Sequence, residues 1–133
     1  MFNNKSILIT GGTGSFGVNM IQEIFLNHKP KKIIIYSRDE LKQYEMQQKW
    51  LINSNEFPIR YFIGDVRDYS RLLMAFDEVD VVIHAAALKQ IPAAEYNPFE
   101  VVKTNILGAH NVVNAALEKN VKRVIALSSS CSY

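Results

Sequence analysis

Residues Ile7 to Gly17 read ILITGGTGSFG. The apolar run Ile7-Leu8-Ile9 enters a glycine-rich turn. Gly11, Gly14 and Gly17 stand there at GxxGxxG spacing, and Gly12, Gly14 and Gly17 at GxGxxG. Phe16, Met20, Ile21, Ile24 and Phe25 then recur on one face of a helical pattern. Strand, glycine turn and helix in that order are the context in which this spacing reads as a dinucleotide fingerprint rather than as an ordinary turn. The residue type follows from the chemistry. Phosphate oxygens approach main-chain N–H groups closely only where no Cβ intervenes. The helix start adds N–H groups without carbonyl partners and the positive end of its dipole.

Outward from this turn, strand and helix patterns alternate. Strands are expected at 6–10, 32–36, 59–63, 80–84 and 123–127. The first helix is expected at 15–28. A second, capped by Asp39, runs to about Asn53 with Leu41, Tyr44, Leu51 and Ile52 as its apolar face. Asn53-Ser54-Asn55 and Pro58 mark a loop. Asp68 caps a short helix carrying Tyr69, Leu72, Leu73 and Phe76. Asn97-Pro98 opens a long one that reaches about Lys119, with Val102, Ile106, Ala109, Val113 and Ala116 in register, and Asn120 ends it. Uninterrupted Val/Ile/Leu strands alternating with helices imply an α/β, doubly wound parallel sheet covered on both faces. The expected strand order is 3-2-1-4-5, truncated after the fifth strand, with a ligand crevice at the C-terminal strand ends. All 133 residues read as one domain, without internal repeats.

Charge and composition narrow the function. The 15 basic and 13 acidic residues are scattered, so there is no electrostatic case for nucleic acid or an acidic membrane. Lys29, Lys31 and Lys32 read as a solvated turn before a strand. The single cysteine, Cys131, excludes an internal disulfide framework and fits a reducing cytoplasm. The apolar run at the N-terminus is too short for a signal peptide, and no stretch is long enough to span a bilayer. A soluble, cytoplasmic chain is expected. No histidines or acids have metal-ligand spacing, so no metal is assigned; His84 reads as a satisfied core histidine.

The second strand ends Tyr36-Ser37-Arg38-Asp39. A site for an unphosphorylated ribose usually carries a carboxylate at this strand end, whereas a guanidinium pairs with a 2′-phosphate. Arg38, with Lys42 one helical turn later, therefore favours NADP over NAD. The alternative is that Arg38 is a solvated loop residue and Asp39 takes the ribose, although Asp39 also suits a helix cap. Asp65 and Val66 follow the third strand, where an adenine edge would lie; a plain turn aspartate is the alternative. Ala85-Ala86-Ala87 follow the fourth strand and let the backbone lie against a dinucleotide, or simply pack a corner.

The segments TGGTGSFG, YSRDELK, FIGDVRD, HAAALKQIPAAEYNP, KTNILGAHNV and VIALS together resemble the nucleotide-sugar branch of the extended short-chain dehydrogenase/reductases. Within it the chain is most similar to the UDP-N-acetylglucosamine 4,6-dehydratase (inverting) family, a polysaccharide-biosynthesis group that includes the enzyme opening the pseudaminic acid pathway. The resemblance covers nearly all of residues 5–128. It implies that Gly11, Thr13, Gly14, Ser15, Phe16 and Gly17 line the pyrophosphate of NADP. It places Ser37, Arg38, Asp39, Glu40, Leu41 and Lys42 around the 2′-phosphate, and Asp65 and Val66 at the adenine. Ala85, Ala86 and Lys89 would lie near the nicotinamide, Lys89 also near the substrate. Thr104 and Asn105 would support the cofactor site from their helix, and Ser128 matches the family's strand end. The implied reaction moves a hydride from sugar C4 to NADP⁺, eliminates water across C5 and C6, and returns the hydride to C6. A UDP-sugar partner and a homo-oligomer are implied as well.

The family continues from VIALS into a threonine, an aspartate and a lysine, and later a YxxxK pair. Here Ser130 and Cys131 stand where the acid and the lysine belong, and the sequence stops at Tyr133. Serine is no general base near neutral pH. No catalytic residue is therefore assigned. The expectation is the cofactor-binding part of a longer enzyme, unable to complete dehydration as given. A UDP-sugar 4-epimerase and a non-catalytic NADP-binding module are the competing readings.

Overall fold

The computed structural model describes residues 2–50, 59–85 and 98–126. Five strands form one parallel sheet: β1 (Ser6–Thr10), β2 (Lys32–Ser37), β3 (Ile59–Ile63), β4 (Val81–His84) and β5 (Arg123–Ala126), in the order β3-β2-β1-β4-β5. The helices are α1 (Ser15–Asn27), α2 (Glu40–Trp50), α3 (Tyr69–Ala75) and α4 (Pro98–Glu118). The expected doubly wound sheet and its strand order are thus observed. Expected ends of α2 and β5, at Asn53 and Leu127, lie outside the described residues.

The period of two along a strand sorts the core into two layers. Ile7 and Ile9 of β1, Ile33 and Ile35 of β2, and Val81 and Ile83 of β4 pack on one face with Ile21 and Ile24 of α1 and Met46 of α2. Leu8, Ile34, Tyr36 and Val82 pack on the other with Leu72 and Phe76 and with Val112, Ala115 and Ala116 of α4. Every residue of β1 and β4 is buried, as expected of strands covered on both sides. Register aligns Thr10 with Tyr36 on one side and with His84 on the other. The C-terminal ends of β1, β2 and β4 therefore finish side by side, which is what brings the glycine turn next to Ser37 and Ala85.

Helix ends follow the local sequence. Asp68 caps α3 by accepting from the Arg71 main-chain N–H. Asn120 adopts a left-handed φ of 57° after α4, and the N–H of Val121 returns to the Ala116 carbonyl at 2.9 Å.

Of three expected helix faces, two are rotated. The expected face of α1 holds: Ile21 and Ile24 are buried and Met20 and Phe25 pack against the core, while Phe16 at its start is exposed. Leu41 and Tyr44 are exposed, whereas Gln43 and Met46 are the buried positions of α2. Ile106 and Val113 are exposed on α4, whose buried positions include Gly108, Asn111, Val112, Ala115 and Ala116. In α2 and α4 the docking face carries a polar side chain that bonds to main-chain carbonyls, and this bonding outweighs the count of apolar residues. Among the described residues no helix is long and apolar enough to cross a membrane.

Candidate functional site

The glycine turn is built partly by its own backbone. Gly11 has φ 69°, the left-handed region where a side chain is strained, and its N–H donates to the Tyr36 carbonyl at 2.9 Å. Gly14 donates to the Gly11 carbonyl at 3.1 Å and receives the Val18 N–H at 3.0 Å. Gly14 is thus the N-cap of α1, and it has ordinary extended φ and ψ. Two of the turn's amides are committed inside the protein. The amides that precede the first intrahelical bond are those of Ser15, Phe16 and Gly17 at the start of α1.

The glycines differ in what requires them. A Cβ on Gly17 would lie 2.5 Å from the Gly12 Cα, and one on Gly12 would lie 3.0 Å from the Ile35 side chain. Gly17 is glycine because α1 packs hard onto the turn, and Gly12 because the turn packs hard onto β2. A Cβ on Gly14 would meet only the Gly11 carbonyl, at 3.5 Å, an ordinary contact. Gly14 is exposed, and neither its conformation nor its internal packing calls for glycine. Thr13 is half-buried beside it.

At the end of β2 the Ser37 side chain is buried, and its hydroxyl accepts a hydrogen bond from Gln43 Nε2 at 2.9 Å. Gln43 also donates to the carbonyls of Ser37 and Phe62, at 3.2 and 3.1 Å. One amide thereby ties α2 to the ends of both β2 and β3. Asp39 accepts the Lys42 main-chain N–H at 3.0 Å, which makes it a cap of α2. Arg38, Asp39, Glu40, Leu41 and Lys42 are all exposed.

The turn after β3 is held from three sides. Tyr36 donates its hydroxyl to the Asp65 carbonyl at 2.8 Å, and its ring lies where any Cβ on Gly64 would have to go. Burial, chiefly, pushes the Tyr36 hydroxyl well above its usual pKa, so it stays a donor. From α4, Asn111 donates to the carbonyls of Val66 and Arg67 at 3.0 and 3.2 Å. Gly108 leaves room for Val66, whose Cγ2 would be 2.7 Å from a Cβ there. Asp65 sits between two guanidiniums, 2.7 Å from Arg67 Nη2 and 3.7 Å from Arg38 Nη1. The side-chain hydrogen bond from Arg67 is the main cause that holds its carboxyl below the usual range. Arg38 is exposed, with a carboxylate as its neighbour. It faces Asp65 along the same sheet edge.

At the end of β4, Ala85 is buried and donates its N–H to the Thr10 carbonyl at 3.1 Å. His84 is buried as expected and shares a 2.7 Å hydrogen bond between Nδ1 and Thr10 Oγ1. Burial lowers its pKa, which keeps the ring neutral. Thr104 lies within α4, about two turns before Asn111. Ala86, Lys89 and Ser128 lie outside the described residues. The structure thus brings the glycine turn, Ser37, Arg38, Asp65, Val66 and Ala85 to one end of the sheet. Tyr36, Gln43, Gly108 and Asn111, which support this end, were not singled out from sequence. For Gln43, Gly108 and Asn111 the signal is an amide or a glycine inside an otherwise regular helix; Tyr36 reads as one more apolar strand residue.

Comparison with known proteins gives the following. The family model described as "Polysaccharide biosynthesis protein" matches residues 7–131. A UDP-N-acetylglucosamine 4,6-dehydratase (inverting) from Campylobacter jejuni is 61% identical over 129 residues, covering 97% of this chain and 37% of that protein. A UDP-glucose 4-epimerase from Rickettsia bellii is 49% identical over 133 residues, covering 97% of this chain and 38% of that protein. The X-ray structure of Pen from Bacillus thuringiensis superposes with a TM-score of 0.83 at 40% identity, over 94% of this chain and 39% of that one. The chain therefore spans less than two-fifths of the length of these relatives.

Proposed function

We propose that this chain, which belongs to the polysaccharide biosynthesis protein family, binds NADP as part of a nucleotide-sugar 4,6-dehydratase acting on UDP-N-acetylglucosamine. The observation that carries the proposal is Gly14. Its glycine answers no demand of the fold, yet it sits exposed at the N-terminus of α1, where a side chain would obstruct a phosphate. In this reading the opening amides of α1, at Ser15, Phe16 and Gly17, donate to the pyrophosphate, with Thr13 alongside. Arg38 and Lys42 receive the ribose 2′-phosphate next to Ser37, while Asp39 orients α2. Asp65 and Val66 receive the adenine, and their turn is kept rigid by Tyr36 and Asn111. By family resemblance, Ala85, Ala86 and Lys89 would serve the nicotinamide half, Lys89 the substrate as well, and Thr104 and Ser128 would belong to the cofactor site.

When bound, NADP⁺ supplies the hydride acceptor for oxidation at sugar C4. The chain's own part is to bind and orient that acceptor. A 61% identical relative named as the inverting dehydratase supports the sugar and the reaction. Products of this kind would feed surface-glycan synthesis of the pseudaminic acid type, in the cytoplasm, and a homo-oligomer is consistent with the family resemblance. A second reading, UDP-sugar 4-epimerase, is favoured by the 49% identical relative that carries that name.

The test pairs binding with product analysis. The protein is titrated with NADP⁺ and then incubated with UDP-N-acetylglucosamine. A sugar nucleotide lighter by one water supports the dehydratase, and an isomer of unchanged mass the epimerase. Binding with neither product is the result expected of the cofactor-binding part alone, and a non-catalytic module gives the same. Absence of binding would sink all three.

A further inference from the structure

We propose that Arg67 sets the preference for a phosphorylated ribose without touching the phosphate: it occupies the Asp65 carboxylate and so leaves Arg38 available to the ligand. This rests on the reading above, in which Arg38 receives the 2′-phosphate.

The geometry around Asp65 is unequal. The Arg67 main chain donates to Oδ1 at 2.9 Å. Its Nε lies 3.2 Å from Oδ1 and 3.1 Å from Oδ2, and Nη2 lies 2.7 Å from Oδ2. Both oxygens are therefore engaged by one residue, with acceptor capacity left on Oδ2. Arg38 stands at 3.7 Å, close enough to feel the charge and too far for a hydrogen bond. Within this group, two guanidiniums around one carboxylate leave one net positive charge. Without Arg67 the remaining pair would be neutral. Asp65 would draw Arg38 into a direct bond, and its own charge would face an incoming phosphate.

Other charged groups nearby have separate partners. Arg71 donates through Nε to the Ile63 carbonyl at 2.9 Å and lies 4.4 Å above the Phe62 ring. Asp68 caps α3 by accepting the Arg71 main-chain N–H at 3.2 Å. Asp39 caps α2 by accepting the Lys42 main-chain N–H. The turn itself does not depend on the Arg67 side chain. Asn111 holds the Val66 and Arg67 carbonyls, Tyr36 holds the Asp65 carbonyl, and the Arg67 side chain is half exposed. Arg67 is thus a positioning residue that acts through Asp65.

The test measures dissociation constants for NADP⁺ and NAD⁺ at low salt with the parent chain, Arg38→Gln, Arg67→Gln and the double variant Arg67→Gln/Asp65→Asn. The readout is the ratio of the two affinities, in which adenine contacts common to both ligands cancel. Arg67→Gln is expected to lower the preference for NADP⁺ by about three- to five-fold, the scale of a half-exposed ion pair. The double variant is expected to restore it, because the competing carboxylate is gone. An unchanged ratio in Arg67→Gln, or no restoration in the double variant, would overturn the inference. So would equal loss of both affinities, which is what a purely structural role gives. Failure of the underlying reading looks different: the parent chain shows no preference, or Arg38→Gln leaves the ratio where it was.

Discussion

At the scale of single residues, the fingerprint separates into positions that serve packing and a position that does not. Gly17→Ala would drive a methyl group into the Gly12 backbone, 2.5 Å from its Cα, and backbone cannot swing aside. The expected cost is about 1–3 kcal/mol or more of stability, read as a lowered denaturation midpoint. Gly14→Ala meets only one carbonyl at 3.5 Å. Its stability change is expected to stay within about 1 kcal/mol, the scale of N-cap substitutions, while dinucleotide affinity falls. Melting both variants with and without NADP⁺ checks the pair. The idea fails if Gly14→Ala proves as damaging to the free protein as Gly17→Ala. From sequence the three glycines looked equivalent. Only the contacts of a hypothetical Cβ tell them apart, and those depend on how α1 lands on β1 and β2.

At the scale of elements, the site depends on amides that staple helices to strand ends. Asn111→Ala removes both donors to the Val66 and Arg67 carbonyls. An expected loss of about 1–3 kcal/mol follows from leaving those groups unsatisfied. The loss should come with weaker adenine-nucleotide binding, which AMP titration can read. Intact binding at reduced stability would show that the turn holds without α4.

His84 and Thr10 tie the ends of β4 and β1, and here pH is the probe. Burial depresses the His84 pKa below its ordinary 6.5. As pH falls through that value the unfolded chain takes up a proton and the folded chain does not. Stability is therefore highest above the ordinary pKa and declines on acidification until the folded ring also titrates. Melts between about pH 7 and pH 5 are expected to show this slope in the parent and a shallower one in His84→Asn. Equal slopes would contradict a neutral buried ring.

The elements themselves were legible in sequence, because glycine, proline and capping aspartates punctuate them and Val/Ile runs mark the strands. The buried faces of α2 and α4 were not. Periodicity counts apolar side chains, and these helices dock through Gln43, Asn111 and Gly108, whose value lies in partners far along the chain.

At the scale of the whole molecule, parallel order and register decide where function can sit. Three strand ends, at Thr10, Ser37 and His84, finish together, so the glycine turn, the Arg38–Asp65–Arg67 group and Ala85 share one edge of one sheet. That convergence was foreseen from the β-α alternation and the expected 3-2-1-4-5 order, and the pairing reproduces it. Sequence did not reveal that Asp65 is held by Arg67 or that Tyr36 and Gln43 brace the same edge. Tyr36 and Gln43 reach partners 29 and 19 residues along the chain, whereas the Arg67–Asp65 pair is local and depends on the conformation of its turn.

The central claim is that this edge grips a dinucleotide carrying a 2′-phosphate. Isothermal titration of the 133-residue chain with NADP⁺ and with NAD⁺ tests it most directly. Saturable binding of both, tighter for NADP⁺ and losing that advantage in Arg38→Gln, is the expected result. No binding of either dinucleotide, or a preference for NAD⁺, would contradict the account.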